Sequence, residues 1–198
     1  MRVLSFRSCG ILSLFMACLC VAMLYGARDG KWSRYRNERF EFCLDVPADW
    51  GSSESLNGNG LSLAPKSLES YELRPEIRVG AHVSQPSKED EQRPQTLDEN
   101  FEAGLEALRE YGGAREITVV SKQKLVLYGL PALKSTLRYK DSKSGAEWFD
   151  KDVDILDRDY TVYFIELKCH PKDADTLDQV FEKMLNSLKL HCGTHDQR

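Results

Sequence analysis

From residue 32 onward the chain alternates apolar and polar positions in short runs, and the period of each run names the element it builds. Phe40, Phe42, Leu44 and Val46 alternate with Glu41, Cys43 and Asp45, and Pro47 closes the run. Period two with one apolar face is the pattern of a half-buried antiparallel strand. Trp32 to Tyr35 is expected to pair with it as a hairpin around residues 36–39. Asn57-Gly58-Asn59-Gly60 is a turn signal, because Asn and Gly tolerate positive φ, and Leu61 and Leu63 alternate after it. Ile77, Val79, Ala81 and Val83 mark another one-faced strand. Residues 84–95 are polar, carry Pro86 and Pro94, and read as an exposed loop.

The period then changes. Thr96 opens a helix with Glu99 as its capping-box partner; Leu97, Phe101, Leu105 and Leu108 form the buried stripe, and Gly112-Gly113 ends it. Strands are expected near 117–127, 132–140, 147–156 and 161–169. The last helix is the clearest element: Asp173 is its cap, and Leu177, Val180, Phe181, Met184, Leu185 and Leu188 fall on one face. Hairpins, a helix, a meander and a final helix predict a single α+β domain, a mostly antiparallel sheet flanked by helices. Its expected bounds are 28–190, between an N-terminal segment 1–27 and a flexible C-terminal tail 191–198.

Composition sets the first segment apart. Residues 1–27 carry only Arg2 and Arg7 as charges, followed by an apolar run from Gly10 and then small residues, the order of an export leader. Cys20-Val21-Ala22 places small residues at both recognition positions of a cleavage site. If the segment is retained, its 18 residues from Gly10 to Ala27 would reach about 27 Å as a helix, close to a ~30 Å membrane core. Lipidation through Cys18 is a third route. Beyond the leader the chain holds 25 basic and 31 acidic side chains, so a duplex-DNA binder, which needs a basic face, is excluded as a class. Three cysteines remain there, Cys43, Cys169 and Cys192, so at most one internal bridge can form in an oxidising compartment.

The series Trp32, Tyr35, Asn37, Phe40, Phe42, Asp45, Pro47 and Trp50 resembles the opening of the PsbP-like superfamily. Members typically show Tyr-x-Asn-x-x-Phe-Gly-Phe-Ser, a short apolar strand, then Pro and Trp. Asn57-Gly58-Asn59-Gly60, the Gly129-Leu130-Pro131-Ala132 turn, and Tyr163 to Pro171 before a helix ending Asn186-Ser187-Leu188 keep the family's order. The departures are Glu41 for the usual Gly and Cys43 for the usual Ser. The resemblance implies an α/β/α sandwich that acts by binding proteins or stabilising assemblies, and it supplies no catalytic signature.

Among residues that could carry chemistry, Cys169-His170 and His191-Cys192-Gly193-Thr194-His195 have the residue types of a zinc site, which needs four converging ligands. A helix of roughly 25 Å between Cys169 and Cys192 opposes both that site and a Cys169–Cys192 bridge, so a frayed tail with a free or intermolecular thiol is expected. A bridge involving Cys43, which the alternation points outward, stays open. Asp150, Asp152 and Asp154 share one strand face and could hold a hard cation; the favoured reading is a solvated strand edge that discourages aggregation, with Asp157 and Asp159 beyond it. Lys88-Glu89-Asp90-Glu91 reads as loop, and His82 as a surface residue. Trp32, Trp50 and Trp148 are expected in core or rim packing. No Gly-x-Ser-x-Gly, His-Glu-x-x-His or phosphate-cradling glycine motif occurs. No catalytic, cofactor-binding or metal-binding residues and no cofactor are therefore assigned. The expected role is a non-catalytic exported cell-envelope factor engaging another envelope protein, without nucleic acid and with the N-terminal segment as a membrane attachment. A small-ligand or metal carrier is the alternative, and an unrecognised enzyme the third.

Overall fold

Short one-faced strands joined by tight turns pair mostly with their sequence neighbours, so most of the chain meanders. In the computed structural model, which describes residues 31–55, 57–68, 74–86 and 95–192, β1 (Trp32–Asn37) and β2 (Phe42–Pro47) form the expected antiparallel hairpin. β3 (Trp50–Glu54) and β4 (Gly60–Pro65) flank the Asn-Gly turn, where Gly58 takes the left-handed conformation that its lack of a Cβ permits. Asn37, nearly fully buried, ties the two hairpins together. Its Nδ2 donates to the Gly58 carbonyl at 2.9 Å while its Oδ1 accepts from the Phe40 amide at 2.9 Å. The asparagine in the resembling motif is thus a brace.

β5 (Glu76–Val83), β6 (Ala114–Leu127), β7 (Leu130–Asp141), β8 (Glu147–Leu156) and β9 (Thr161–Cys169) complete a seven-stranded antiparallel sheet in the order β3-β4-β5-β9-β8-β7-β6. The expected α+β fold, a mostly antiparallel sheet flanked by helices in one domain, is the observed one. Two helices cover opposite faces: α1 (Leu97–Glu110) and α2 (Ala174–Ser187). Among the described residues no helix is long and apolar enough to cross a membrane. The expected leader, residues 1–27, and residues 193–198 lie outside the described residues, as does the Lys88–Glu91 charge run.

The core lies on the α2 side. Leu177, Phe181, Met184 and Leu185 pack against Phe42 and Leu44 of the first hairpin and against Ile77, Val79, Val153, Ile155, Ile165 and Leu167 of the sheet. Trp148 is buried with Tyr139 in a small second cluster, whereas Trp32 and Trp50 are half-buried at the rim of the main one.

Cys43 departs from the outward position that alternation gives it. After Leu188 the chain turns back, and Lys189 exchanges backbone hydrogen bonds with Cys43 at 2.8 and 3.0 Å. Cys192 donates its amide to the Glu41 carbonyl and forms a disulfide with Cys43, across 149 residues of chain. The expected frayed tail with an unpaired thiol is therefore corrected at Cys192: the doubling back that zinc would have needed occurs, but toward β2. Among the described residues Cys169 is the free cysteine, fully buried in the core.

Candidate functional site

The second face of the sheet is built differently, and β8 shows why. It lies between β9 and β7, and its two faces are covered by α1 on one side and α2 on the other. Lys151, Val153 and Ile155 turn toward α2; Asp150, Asp152 and Asp154 turn toward α1. The register carries each carboxylate into a polar rung. Asp152 stands opposite Glu166 on β9 and Ser135 on β7, with Arg78 of β5 beyond Glu166. The expected solvated edge is thus corrected: β8 is an interior strand, α1 covers the face that its aspartates share, and Asp150 and Asp154 are 7% and 6% exposed.

α1 spans this polar face like a beam held at its ends. At its start the Thr96–Glu99 capping box closes, Glu99 accepting the Thr96 amide at 2.7 Å. Asp98 pairs with Lys122 at 3.1 Å and Lys124 at 2.5 Å on β6. At its end Leu108 packs against the cluster of Ala114, Tyr139 and Trp148. Between the ends only Leu105 is fully buried, and a cleft of about 420 Å³ opens between helix and sheet. Phe101, Leu105, Leu108, Leu137 and Phe164 supply its apolar lining; Asp150, Asp152, Asp154, Glu166, Arg78, His82 and Asn100 supply the polar one.

Burial governs the charges there. It pushes the Asp150 carboxyl up to about 8, helped by the nearby Glu166, and raises Asp152 well above the usual carboxylate range, with Asp154 and Glu166 adding repulsion. Asp154 is pushed up to about 6 by burial, against the hydrogen bond that Asn100 Nδ2 donates to its Oδ2 at 2.8 Å. Burial pulls the Arg78 guanidinium down, but its ion pair with Glu166 more than restores it. His82, expected at the surface, lines the cleft, and burial lowers its pKa while a hydrogen bond with Asn100 opposes the shift. The arrangement is an acid-floored receptor with apolar walls, suited to a positively charged group.

The cysteine and histidine set does not converge. Burial pushes the Cys169 thiol up to about 12, far from the thiolate a nucleophile or metal ligand needs. His170 stacks on Trp148 with ring centroids 4.6 Å apart, and His191 Nε2 lies 2.8 Å from Asp157 Oδ2. Among the described residues no group of three or more His, Cys, Asp or Glu side chains is placed to hold a metal ion. Sequence reading found the three aspartates but missed Glu166, Arg78 and Asn100. Glu166 and Arg78 were legible as polar positions alternating with Ile165, Leu167, Ile77 and Val79; their rung depends on strand order, which no local pattern carries.

No protein-family model and no curated protein matches the sequence. Solved structures do. The cyanobacterial PsbP (CyanoP) of Synechocystis sp. PCC 6803 superposes with a TM-score of 0.60 at 12% identity, covering 83% of this chain and 95% of that one. The Ran-binding protein Mog1p of Saccharomyces cerevisiae gives 0.55 at 10% identity over 81% and 96%. LpqN of Mycobacterium tuberculosis, involved in cell envelope biogenesis, gives 0.51 at 13% identity over 84% and 87%.

Proposed function

Starting from a domain with the PsbP-like fold, we propose that this chain is a non-catalytic, exported cell-envelope factor that engages a protein partner through the cleft beneath α1. The cleft carries this reading: it is concave, acid-floored and mounted on an interior strand, which holds its groups in fixed positions. Export is supported by the basic-then-apolar order of residues 1–27 and by the Cys43–Cys192 bridge, a bond that persists in oxidising compartments. The structural likeness to a Ran-binding protein and to an envelope-biogenesis protein agrees with a binding role.

Photo-crosslinking in the producing cells tests it. A photoreactive residue replacing Gly104 at the cleft should trap one defined polypeptide, while the same residue at Gln179 on exposed α2 surface should not. Native mass spectrometry of the gently purified protein should show that polypeptide at fixed stoichiometry, and after denaturation the spectrum reads the fate of the leader. A stoichiometric small molecule instead of a polypeptide would favour the carrier reading, for which the cleft volume is the supporting observation. Turnover of any substrate, abolished by a cleft substitution that leaves folding intact, would overturn both.

A further inference from the structure

The charges facing the cleft do not balance. β8 contributes Asp150, Asp152 and Asp154, and β9 contributes Glu166. Against them β5 sets Arg78, which pairs with Glu166, and β9 sets Lys168, whose ammonium lies 5.0 Å over the Trp148 ring. Asn100 of α1 donates to Asp154. Asp152 faces no cation: the Val153 amide reaches its carboxyl, but its Oδ1 is shielded from solvent and takes no hydrogen bond from the described residues. A buried acceptor without a donor is costly, and it marks the place where a donor is wanted.

The cleft that Asp152 lines is kept open on its helix side. Gly104 sits in the middle of α1 and lines the cleft, although a Cβ there would meet nothing within 4 Å. Packing does not demand a glycine at that position, and glycine weakens a helix interior. Around the opening, Phe101, Leu105, Leu108 and Phe164 present hydrocarbon, while the acids lie on the sheet side. A metal ion needs ligands converging on one point, which these carboxylates do not provide. A long side chain with an apolar stem and a charged, multi-donor tip matches both parts of the lining.

We infer that the cleft receives a lysine or arginine side chain of the partner, its stem between α1 and the sheet and its cationic tip on Asp152, beside Asp150 and Asp154. This rests on the cleft being the partner's receptor, as proposed above, and adds the chemistry by which the partner is recognised. Burial holds protons on these acids above the usual carboxylate range; a cationic tip lets them ionise beside it and an apolar tip does not, which supplies the selectivity for a charged tip over an apolar one.

Titration of the purified protein with Gly-Ser octapeptides bearing one central lysine, arginine or norleucine tests the inference through the backbone amide resonances of Asn100, Gly104 and Glu166. The lysine and arginine peptides should shift these amides saturably, with the norleucine peptide weaker by about tenfold or more, the worth of one charged hydrogen bond. Asp152→Asn, nearly isosteric, should weaken the cationic peptides by about the same factor. Gly104→Leu, which fills the opening and leaves every acid in place, should abolish the shifts.

Equal binding of the norleucine peptide, or binding that both variants leave untouched, would overturn the inference. So would saturation of the same amides by Ca²⁺ or Mg²⁺, or by free spermidine, at concentrations well below the peptides. The two proposals fail separately. Crosslinking at Gly104 without peptide binding would remove the cationic tip and leave the partner reading. Peptide binding without a crosslinked polypeptide would do the reverse.

Discussion

The two faces of the sheet are covered by helices of equal length, yet they are different kinds of interface. α2 buries four large side chains against an apolar core, and the charge buried beside them is paired. Lys151 reaches Asp178 and Glu182, and Lys134 meets Glu182 at 2.8 Å. α1 buries Leu105 alone and is held at its start by a capping box and by exposed ion pairs, each worth less than a core side chain. β8 borders both, with Val153 and Ile155 on one side and three aspartates on the other. A strand's alternation lets one segment serve a fold and a site at once. The difference teaches that stability here is concentrated on one face, which leaves the other able to hold buried like charges that a core could not accept.

The sharpest way to break that contrast is to remove core volume from the α2 face. Phe42 and Phe181 are wholly buried, and replacing either with Ala should cost roughly 3–5 kcal/mol, read from urea unfolding. A loss below a kcal/mol would show that the two faces do not differ as described. The Cys43–Cys192 bridge staples the same face by tying the chain after α2 to β2. Cys192→Ser should cost roughly 2–5 kcal/mol, because the bridge closes a long loop in the unfolded chain, and the loss should vanish when both proteins are compared under reducing conditions.

Legibility in the sequence follows the same division. The α2 face was readable because its information is local: an apolar stripe at helical spacing, and one-faced strands that end at Pro47, Asn57-Gly58 and Gly129. The strand expected at 147–156 and its successor at 161–169 are found at those residues, and the Thr96–Glu99 box closes as read. The α1 face was misread for a long-range reason. Alternation placed Asp150, Asp152 and Asp154 together, but whether that row meets water depends on α1, an element distant in the chain, lying over it. Cys43 was misread likewise, since its outward face is covered by residues near 190. His82, an outward residue of its strand, is roofed by α1.

A smaller effect sharpens the contrast through pH. An aspartate in an unfolded chain titrates near 3.9, whereas folded Asp150 holds its proton up to about 8. Between those values the folded state binds the proton that the unfolded chain releases, so stability falls as pH rises. His82 works the other way below about 6.5, since burial lowers its folded pKa and the unfolded imidazole takes the proton first. The window from pH 6.5 to 8 therefore belongs to the acids, and Asp150 alone should lower stability across it by roughly 1–2 kcal/mol, with Asp152 acting in the same direction. Asp150→Asn should remove the Asp150 share of that slope in urea unfolding at the two pH values. A stability that holds level across the window would mean that the acids are solvated and that the faces differ less than their lining suggests.

The smallest expected effect asks whether α1 forgoes stability to keep the cleft open. Gly104 lies in the middle of the helix, is exposed, and a Cβ there would meet nothing within 4 Å. On helix propensity alone Gly104→Ala should stabilise the protein by about 0.5–1 kcal/mol, since alanine gives up less backbone entropy on folding. The gain should appear as a higher urea midpoint with an unchanged denaturant slope, because no surface is newly buried. A methyl group is too small to close a cleft of this size, so the cationic peptides should still reach Asp152 in this variant, in contrast to Gly104→Leu. A loss of stability instead would mean that a neighbour already occupies the space above the acids, and then α1 would be packed on its face of the sheet much as α2 is on the other.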